Sequence, residues 1–370
     1  MPVSLPNCFL KAVLWTAIIF ALLGCNLFSR ISAPPTSSVP GTYSNLDPST
    51  NKYDIAIKSL DLLKKHDFEA LESNMNSARQ NRERLIGGYW KLDFIYQGLS
   101  SPNYRKNSAD SEWTAHIADL EAWKQAMPNS ISASVALAEA WDAYGIEARG
   151  EGLANTVSDE NWKLFFERTA RAHQELDSSK AMTPKCPEWY VIMLSVAQSE
   201  SWPRVQYDKV FEEGFRLEPT YYPLQRQKLF YLLPQWFGKE GEISDFIDQN
   251  SSRIQGEEGE IMRYLLTTTM QPQFRSDIFQ HIKIPWPKLK NGYELLKKHY
   301  LVDGYRTNQF GYLAMYGQDV ESACVTFSEI GEFGDPEVWG TQEFYSKIKS
   351  PMNEFCRRFT ASKLGGPRSN

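Results

Sequence analysis

Five histidines are the first residues that could do chemistry: His66, His116, His173, His281 and His299. A helical metal site needs two of them three or four residues apart, so that both imidazoles leave one face. No two have that spacing, and His173-Gln174-Glu175 lacks the second histidine of a metalloprotease helix. Gly311 and Gly317 stand alone, which leaves no phosphate-cradling loop and no nucleophile elbow. Asp93, Asp119 with Glu121, and Glu212 with Glu213 would serve as general acids or bases only inside a desolvating cleft. As isolated carboxylates they read as solvated helix surface. Glu147 and Arg149 follow the aromatic ridge Trp141–Tyr144 and precede Gly150. They either line a groove or form a local ion pair at a helix end. The expectation is therefore no catalytic residue, no metal and no cofactor.

The cysteines divide by position. Cys8 and Cys25 lie in the amino-terminal segment; Cys186, Cys324 and Cys356 lie beyond it, without a CxxC pair. Outside the cytoplasm an odd count leaves at least one thiol free. Cys324 and Cys356 share the last helical region, where they either pair or sit as small buried thiols.

Cys25 has the most informative surroundings. Lys11 is the only charged side chain before Arg30, and Ala12–Gly24 reads AVLWTAIIFALLG. That is the length of a signal-peptide apolar region and short for a membrane span. It ends in Leu22-Leu23-Gly24-Cys25, which resembles the bacterial lipobox. The resemblance implies that residues 1–24 are a lipoprotein signal peptide. Cys25 would then be diacylated on sulfur, become the first residue and be acylated on its amine, giving enough acyl chains for a stable anchor. An uncleaved span from Ala12 to Phe28 is the alternative, against which Asn26 argues. Asn26 in place of Asp also directs the expectation to the outer membrane facing the periplasm, if the host is diderm. Residues 25–50 are rich in Ser and Pro, as in SAPPTSSVPG at 32–41, and form an extended tether.

The remainder must supply the folded body. The chain has 370 residues, 42% hydrophobic and 13% aromatic, with a net charge of −5. That supports a large core and lacks the basic footprint of a nucleic-acid binder. Residues 51–362 show helical periodicity almost throughout, and 363–370 read as a frayed tail. The expected helices include Tyr53–Lys65, one capped by Asp67, Glu112–Met127, Ser130–Arg149, Asn161–Met182, Glu188–Gln198 and Tyr207–Leu217. They continue through Leu224–Leu233, Glu242–Ile254 and Gly259–Thr269. After an irregular stretch, Gln271–Pro287, the pattern resumes at Leu289–Leu301, Tyr305–Tyr316, Val320–Ile330 and Val338–Thr360. An aromatic cluster from Trp202 to Phe237 reads mostly as core, with a few rings left to face outward.

Ala172, Leu176, Ser179 and Pro184 fit the second-helix pattern of a tetratricopeptide repeat, and Phe211, Gly214 and Pro219 fit its last three positions. The expected fold is an all-α, tetratricopeptide-like solenoid of antiparallel helix pairs, with Pro128, Pro184 and Pro219 at successive turns. Its groove would be bordered by first helices, including Ala133–Tyr144. Several phrases go further: WKQAMPNS at 123–130, ALAEAWDAYGIEARG at 136–150, EPTYY at 218–222 with LPQWFG at 233–238, and the run from Asn308 to Trp339. Together they resemble a bacterial domain-of-unknown-function family, numbered 4034, over roughly residues 50–345. The resemblance implies a helical fold without an assigned activity. That family has a Gly-Gly-Ser-like turn after the Trp, where this chain has Phe237-Gly238-Lys239.

The expected function is a lipid-anchored scaffold of the bacterial cell envelope, holding a protein or peptide partner on its helical-repeat surface, with no nucleic acid. The alternative is an envelope enzyme or ligand-binding protein acting on cell-wall glycan, which requires a positioned acid in a cleft. Replacing Cys25→Ser is expected to block acylation and release the chain from membranes. Mass spectrometry of the wild-type amino terminus checks this, and an unmodified, uncleaved terminus would rule it out.

Overall fold

A computed structural model describes residues 51–104, 107–150 and 152–364. Cys25, the signal segment, the tether to residue 50 and the tail beyond Leu364 lie outside the described residues. Among the described residues the chain is all-α with no strand; Arg84 and Trp90 make one isolated antiparallel bridge. The fold divides into two compact units, residues 51–85 with 89–239, and residues 86–88 with 240–364.

The first unit contains α1 (Lys52–Lys64), α2 (Phe68–Gln80), α3 (Lys91–Leu99), α4 (Asp110–Ala126) and α5 (Ile131–Arg149). It continues with α6 (Asp159–Ser179), α7 (Pro187–Ser199), α8 (Arg204–Leu217) and α9 (Tyr222–Tyr231). Local chemistry sets several starts. Side-chain oxygens of Asn51, Asp67, Ser130 and Ser158 accept backbone N–H groups of Tyr53, Ala70, Ala133 and Asn161 at 3.0, 3.2, 2.9 and 3.2 Å. Gly150, at φ 70°, closes α5. Pro128, Pro184 and Pro219 each fall in a turn, between α4 and α5, α6 and α7, and α8 and α9.

Side-chain contacts fix the helix directions. Arg149, at the end of α5, lies over Trp162 at the start of α6, and Arg168 further along α6 lies over Tyr144. The two helices are therefore antiparallel. The Trp189 indole N–H, near the start of α7, reaches the Leu176 carbonyl near the end of α6 at 2.9 Å. His173 Nδ1 on α6 sits 3.0 Å from the carboxylate of Glu200, which follows α7, so α7 reverses again. Between α7 and α8 the backbones close in at Gly214, where an added Cβ would lie 2.8 Å from the Tyr190 Cβ. No larger residue fits without moving α8. Ala172, Leu176 and Ser179 are all within 1% of full burial, and Phe211 is 3% exposed.

Two features depart from expectation. α5 is largely enclosed: thirteen of its 19 residues are buried, with Ala133, Val135, Ala136, Ala138 and Ala140 at 0% exposure. Its small residues serve close packing on several sides at once. The second departure is α3, which helical periodicity did not mark. Eight of its nine residues are buried, so it has no polar face to set against an apolar one.

The second unit contains α10 (Glu242–Ser252), α11 (Glu257–Thr269), α12 (Gln271–Phe274), α13 (Ile278–His281) and α14 (Trp286–Tyr300). It ends with α15 (Gly304–Tyr316), α16 (Val320–Ile330), α17 (Pro336–Trp339) and α18 (Gln342–Leu364). The irregular stretch resolves into two single turns, α12 and α13, around a 3-10 turn at Arg275–Asp277. The long helix expected at 338–360 is divided at Gly340 into α17 and α18. Tyr312, Phe327, Val338, Trp339 and Tyr345 form an aromatic-rich core. A disulfide joins Cys324 on α16 to Cys356 on α18, with Cα atoms 5.5 Å apart.

Leu176→Ala and Phe211→Ala should each destabilise the protein by about 2–5 kcal/mol, because both side chains are fully enclosed between helices. Urea unfolding measures this; a loss below about 1 kcal/mol at both positions would show that neither holds a seam together.

Candidate functional site

The turn joining α5 to α6 gathers the ridge and the ion-pair candidates. Tyr144 anchors it. Its ring stacks on Trp113 of α4 with centroids 4.6 Å apart, and the Arg168 guanidinium lies 3.2 Å over its other face. Arg168 also donates to the Tyr144 carbonyl at 3.1 Å. The Tyr144 hydroxyl donates to Asp110 Oδ1 at 2.6 Å. Burial and then that carboxylate push the phenol up to about 12, so it stays a neutral donor across the physiological range. The result is a cation–ring–ring stack in which the Tyr144 hydroxyl and the Arg168 guanidinium are paired, while the Trp113 indole N–H is buried without a hydrogen-bond partner.

Glu147 and Arg149 do not pair with each other. Arg149 donates to the carbonyls of Gly150 and Gly152 at 2.8 and 3.1 Å, and Glu147 accepts the Ser108 backbone N–H at 3.3 Å. The local ion pair is thus replaced by two backbone ties, which satisfy orphan groups at the end of α5 and before α4. Arg149 lies 5.5 Å over Trp162, whose ring stacks on Phe166 with centroids 5.6 Å apart. Phe166 is 50% exposed. Phe165 beside it turns inward, and Gly145 of α5 faces its carbonyl. Two aromatic groups therefore flank the α5–α6 contact: a sealed one, Trp113–Tyr144–Arg168, and an open one, Trp162–Phe166. Sequence reasoning missed Trp162, Phe166 and Arg168. The signal for the first two was their four-residue spacing on one helix face.

At the sealed group, His116 meets the Trp113 ring edge-on at 6.2 Å. Its Nε2 is 2.8 Å from the Leu99 carbonyl, which can only accept, so Nε2 carries the proton. Its Nδ1 is buried without a hydrogen-bond partner. Burial pushes the imidazole down to about 4, because a second proton would place a charge and an N–H where no acceptor stands.

The other sequence candidates scatter. Asp93 is a correction: it is fully buried rather than solvated, and accepts from Gln97 at 2.8 Å. Asp119 meets His66 at 2.7 Å, while Glu121 is exposed and Glu212 and Glu213 are half-buried on α8. His281 stacks on Phe274, and His299 bonds Glu257. Cys186 is a buried free thiol 3.3 Å from the Tyr96 hydroxyl. In the aromatic cluster, Tyr207, Phe211 and Tyr231 surround the buried Lys228 ammonium, and Trp236 faces outward at 45% exposure. A surface cleft of 460 Å³ between α2 and the α4–α5 turn is lined by Glu72 and Ser130, which bond each other. Among the described residues, no three His, Cys, Asp or Glu converge as metal ligands, and no helix is long and apolar enough to cross a membrane.

No family model, no curated protein and no solved structure matches the chain.

The buried imidazole gives a pH prediction. Between the unfolded value of 6.5 and the folded value of about 4, the unfolded chain binds a proton that the folded chain refuses. Stability should therefore fall by about 1.4 kcal/mol per pH unit as pH drops through that window, from this group alone. His116→Gln should remove this slope. Urea titrations of both proteins at neutral pH and near pH 5 measure it, and parallel losses would show that His116 does not set it.

Proposed function

We propose that the protein is a lipid-anchored interaction scaffold of the bacterial cell envelope. In this reading the alternating helices α4 to α9 are a divergent tetratricopeptide-like solenoid, related to the domain-of-unknown-function family that the quoted phrases resemble. The open Trp162–Phe166 stack is the observation that carries the proposal. Exposing half of a phenylalanine on a helix face forgoes burial of apolar surface. The rings sit on α6, which is held against α5 at close range, and Arg149 lies over the Trp162 ring. A rigid aromatic pair beside a cation is the composition of an interface anchor, since its side-chain entropy is spent before binding.

A partner of protein or peptide nature fits this platform. The glycan-directed alternative requires an acid set in a cleft, and the most deeply buried glutamate, Glu188 at 0% exposure, accepts the Tyr221 hydroxyl at 2.6 Å in the interior of the first unit.

A photo-crosslinking amino acid at Phe166 tests the proposal in cells, with one at exposed Lys163 on the same helix as the control. Discrete protein adducts are expected at 166, lost when Trp162 is replaced by Ala and absent at 163. Equal adduct patterns at both positions would sink the scaffold reading. So would binding to purified cell-wall glycan that depends on Trp162, which would transfer the platform to the alternative.

A further inference from the structure

We infer that α18 is a membrane-contact helix that rests on the anionic surface of a bilayer, independently of acylation at Cys25. Charge is the first observation. Residues 342–370 hold six basic side chains and two acidic ones, a net of +4. The whole chain carries −5, so residues 1–341 carry −9, that is −5 minus +4. A cationic segment on an anionic body marks a local electrostatic role.

The second observation is the arrangement of apolar groups. α18 turns Tyr345, Ile348 and Met352 toward the core of its unit. Phe344, Pro351 and Phe355 recur at steps of seven and four residues along the neighbouring stripe, and all three are exposed. Phe344 is 42% and Phe355 49% exposed. Lys347 and Arg358 lie on the polar side of that stripe. Each pairs only with an exposed glutamate four residues earlier, Glu343 and Glu354. Exposed pairs of this kind are weak, so both cations can turn to lipid phosphates. Lys349, in contrast, is buried and committed to the Gly331 carbonyl and Glu332.

Two further exposed apolar side chains lie on the segments tied to α18. Val325, at 57% exposure, follows the Cys324 that is bonded to Cys356. Phe333, at 80%, lies between Glu332, which pairs with Lys349, and Gly334, whose N–H donates to Gln342 at 3.1 Å. Exposed rings edged by Lys and Arg are the signature of a helix lying in a lipid headgroup layer. The disulfide holds the Phe355 turn against α16, so the rings are presented from a fixed base. A second copy docked patch to patch would bring the Lys347 and Arg358 of both chains together, which like-charge repulsion disfavours.

The test uses the mature chain from residue 25 with Cys25→Ser, so that no acyl group contributes. Vesicles of phosphatidylcholine alone are compared with vesicles that also contain phosphatidylglycerol. Binding to the mixed vesicles is expected, weakened by salt. Phe344→Ser with Phe355→Ser, and separately Lys347→Gln with Arg358→Gln, should each lower it about tenfold. Circular dichroism and a free-thiol count check that both variants stay folded and bridged. Equal binding to the two kinds of vesicle, or unchanged binding by both variants, would overturn the inference. Self-association without lipid that the phenylalanine variant abolishes would also overturn it and assign the patch to a second copy. None of these outcomes bears on whether Cys25 is acylated in cells.

Discussion

The first unit depends on helices that have almost no solvent face. Eight of nine residues in α3, ten of 13 in α7 and nine of ten in α9 are buried. A helix so enclosed must satisfy every polar side chain within the protein, because an unpaired buried charge costs several kcal/mol. Asp93 is met by Gln97 on its own helix, whereas Asp142 of α5 accepts from Ser195 of α7 at 2.7 Å. Glu188 of α7 accepts from Tyr221, just before α9. Lys228 bonds Asp208 and is ringed by aromatic faces. Three of these ties cross between helices. They fix register as well as satisfying charge: sliding α7 along α5 by one turn would strand Asp142 and Ser195 together.

The second unit follows the same rule around a different residue. Arg306 is 1% exposed, and its guanidinium donates to the Gly87 carbonyl at 3.2 Å and to Gln309 Oε1 at 2.9 Å. Two residues later, the Asn308 side-chain oxygen accepts from the Trp339 indole at 2.7 Å and from the Asp335 N–H at 3.0 Å. One amide thereby orients α17 and the largest ring of the local core. A disulfide joins α16 to α18.

This division between enclosed and amphipathic helices decides what the sequence disclosed. α6, α8 and α14 alternate apolar and charged faces, and the 3.6-residue period found them. Ser130 and Asp67 marked helix starts, and Pro128, Pro184 and Pro219 marked turns, because those effects are local. α3 left no such trace, since Leu92 to Leu99 is buried on every side and periodicity reports only a contrast between faces. Asp93 was misread for the same reason: a carboxylate in an unrecognised helix reads as surface. The boundary between the units is equally silent, because helical patterning resumes at Glu242 much as it ended at Tyr231. At the platform, Trp141, Tyr144, Glu147 and Arg149 were legible as a ridge at a helix end. Their partners were not. Arg168 reaches Tyr144 from 24 positions away, and Glu147 is claimed by a backbone group 39 positions upstream.

Aromatic residues show how enclosure and exposure are distributed. Most rings in the chain are sealed against one another, as in the stacks Tyr207–Tyr231 at 3.7 Å and Tyr293–Phe310 at 3.8 Å. Exposed large aromatics are few among the described residues: Phe166 and Trp236 in the first unit, Phe333, Phe344 and Phe355 in the second. Single exposed rings are ordinary on protein surfaces, but clustering is not. The three of the second unit fall within residues 333–355, in and just before α18, and residues 342–370, which begin with α18, carry a net charge opposite in sign to that of the whole chain. Phe166 instead stacks on Trp162, over which Arg149 lies, on a helix whose other face is closed by Gly145 and Thr169 packing. A ring that only lacked a place in the core would not need that stack. Packing against Trp162, itself covered by Arg149, with an open front is an arrangement that fixes where an aromatic face points.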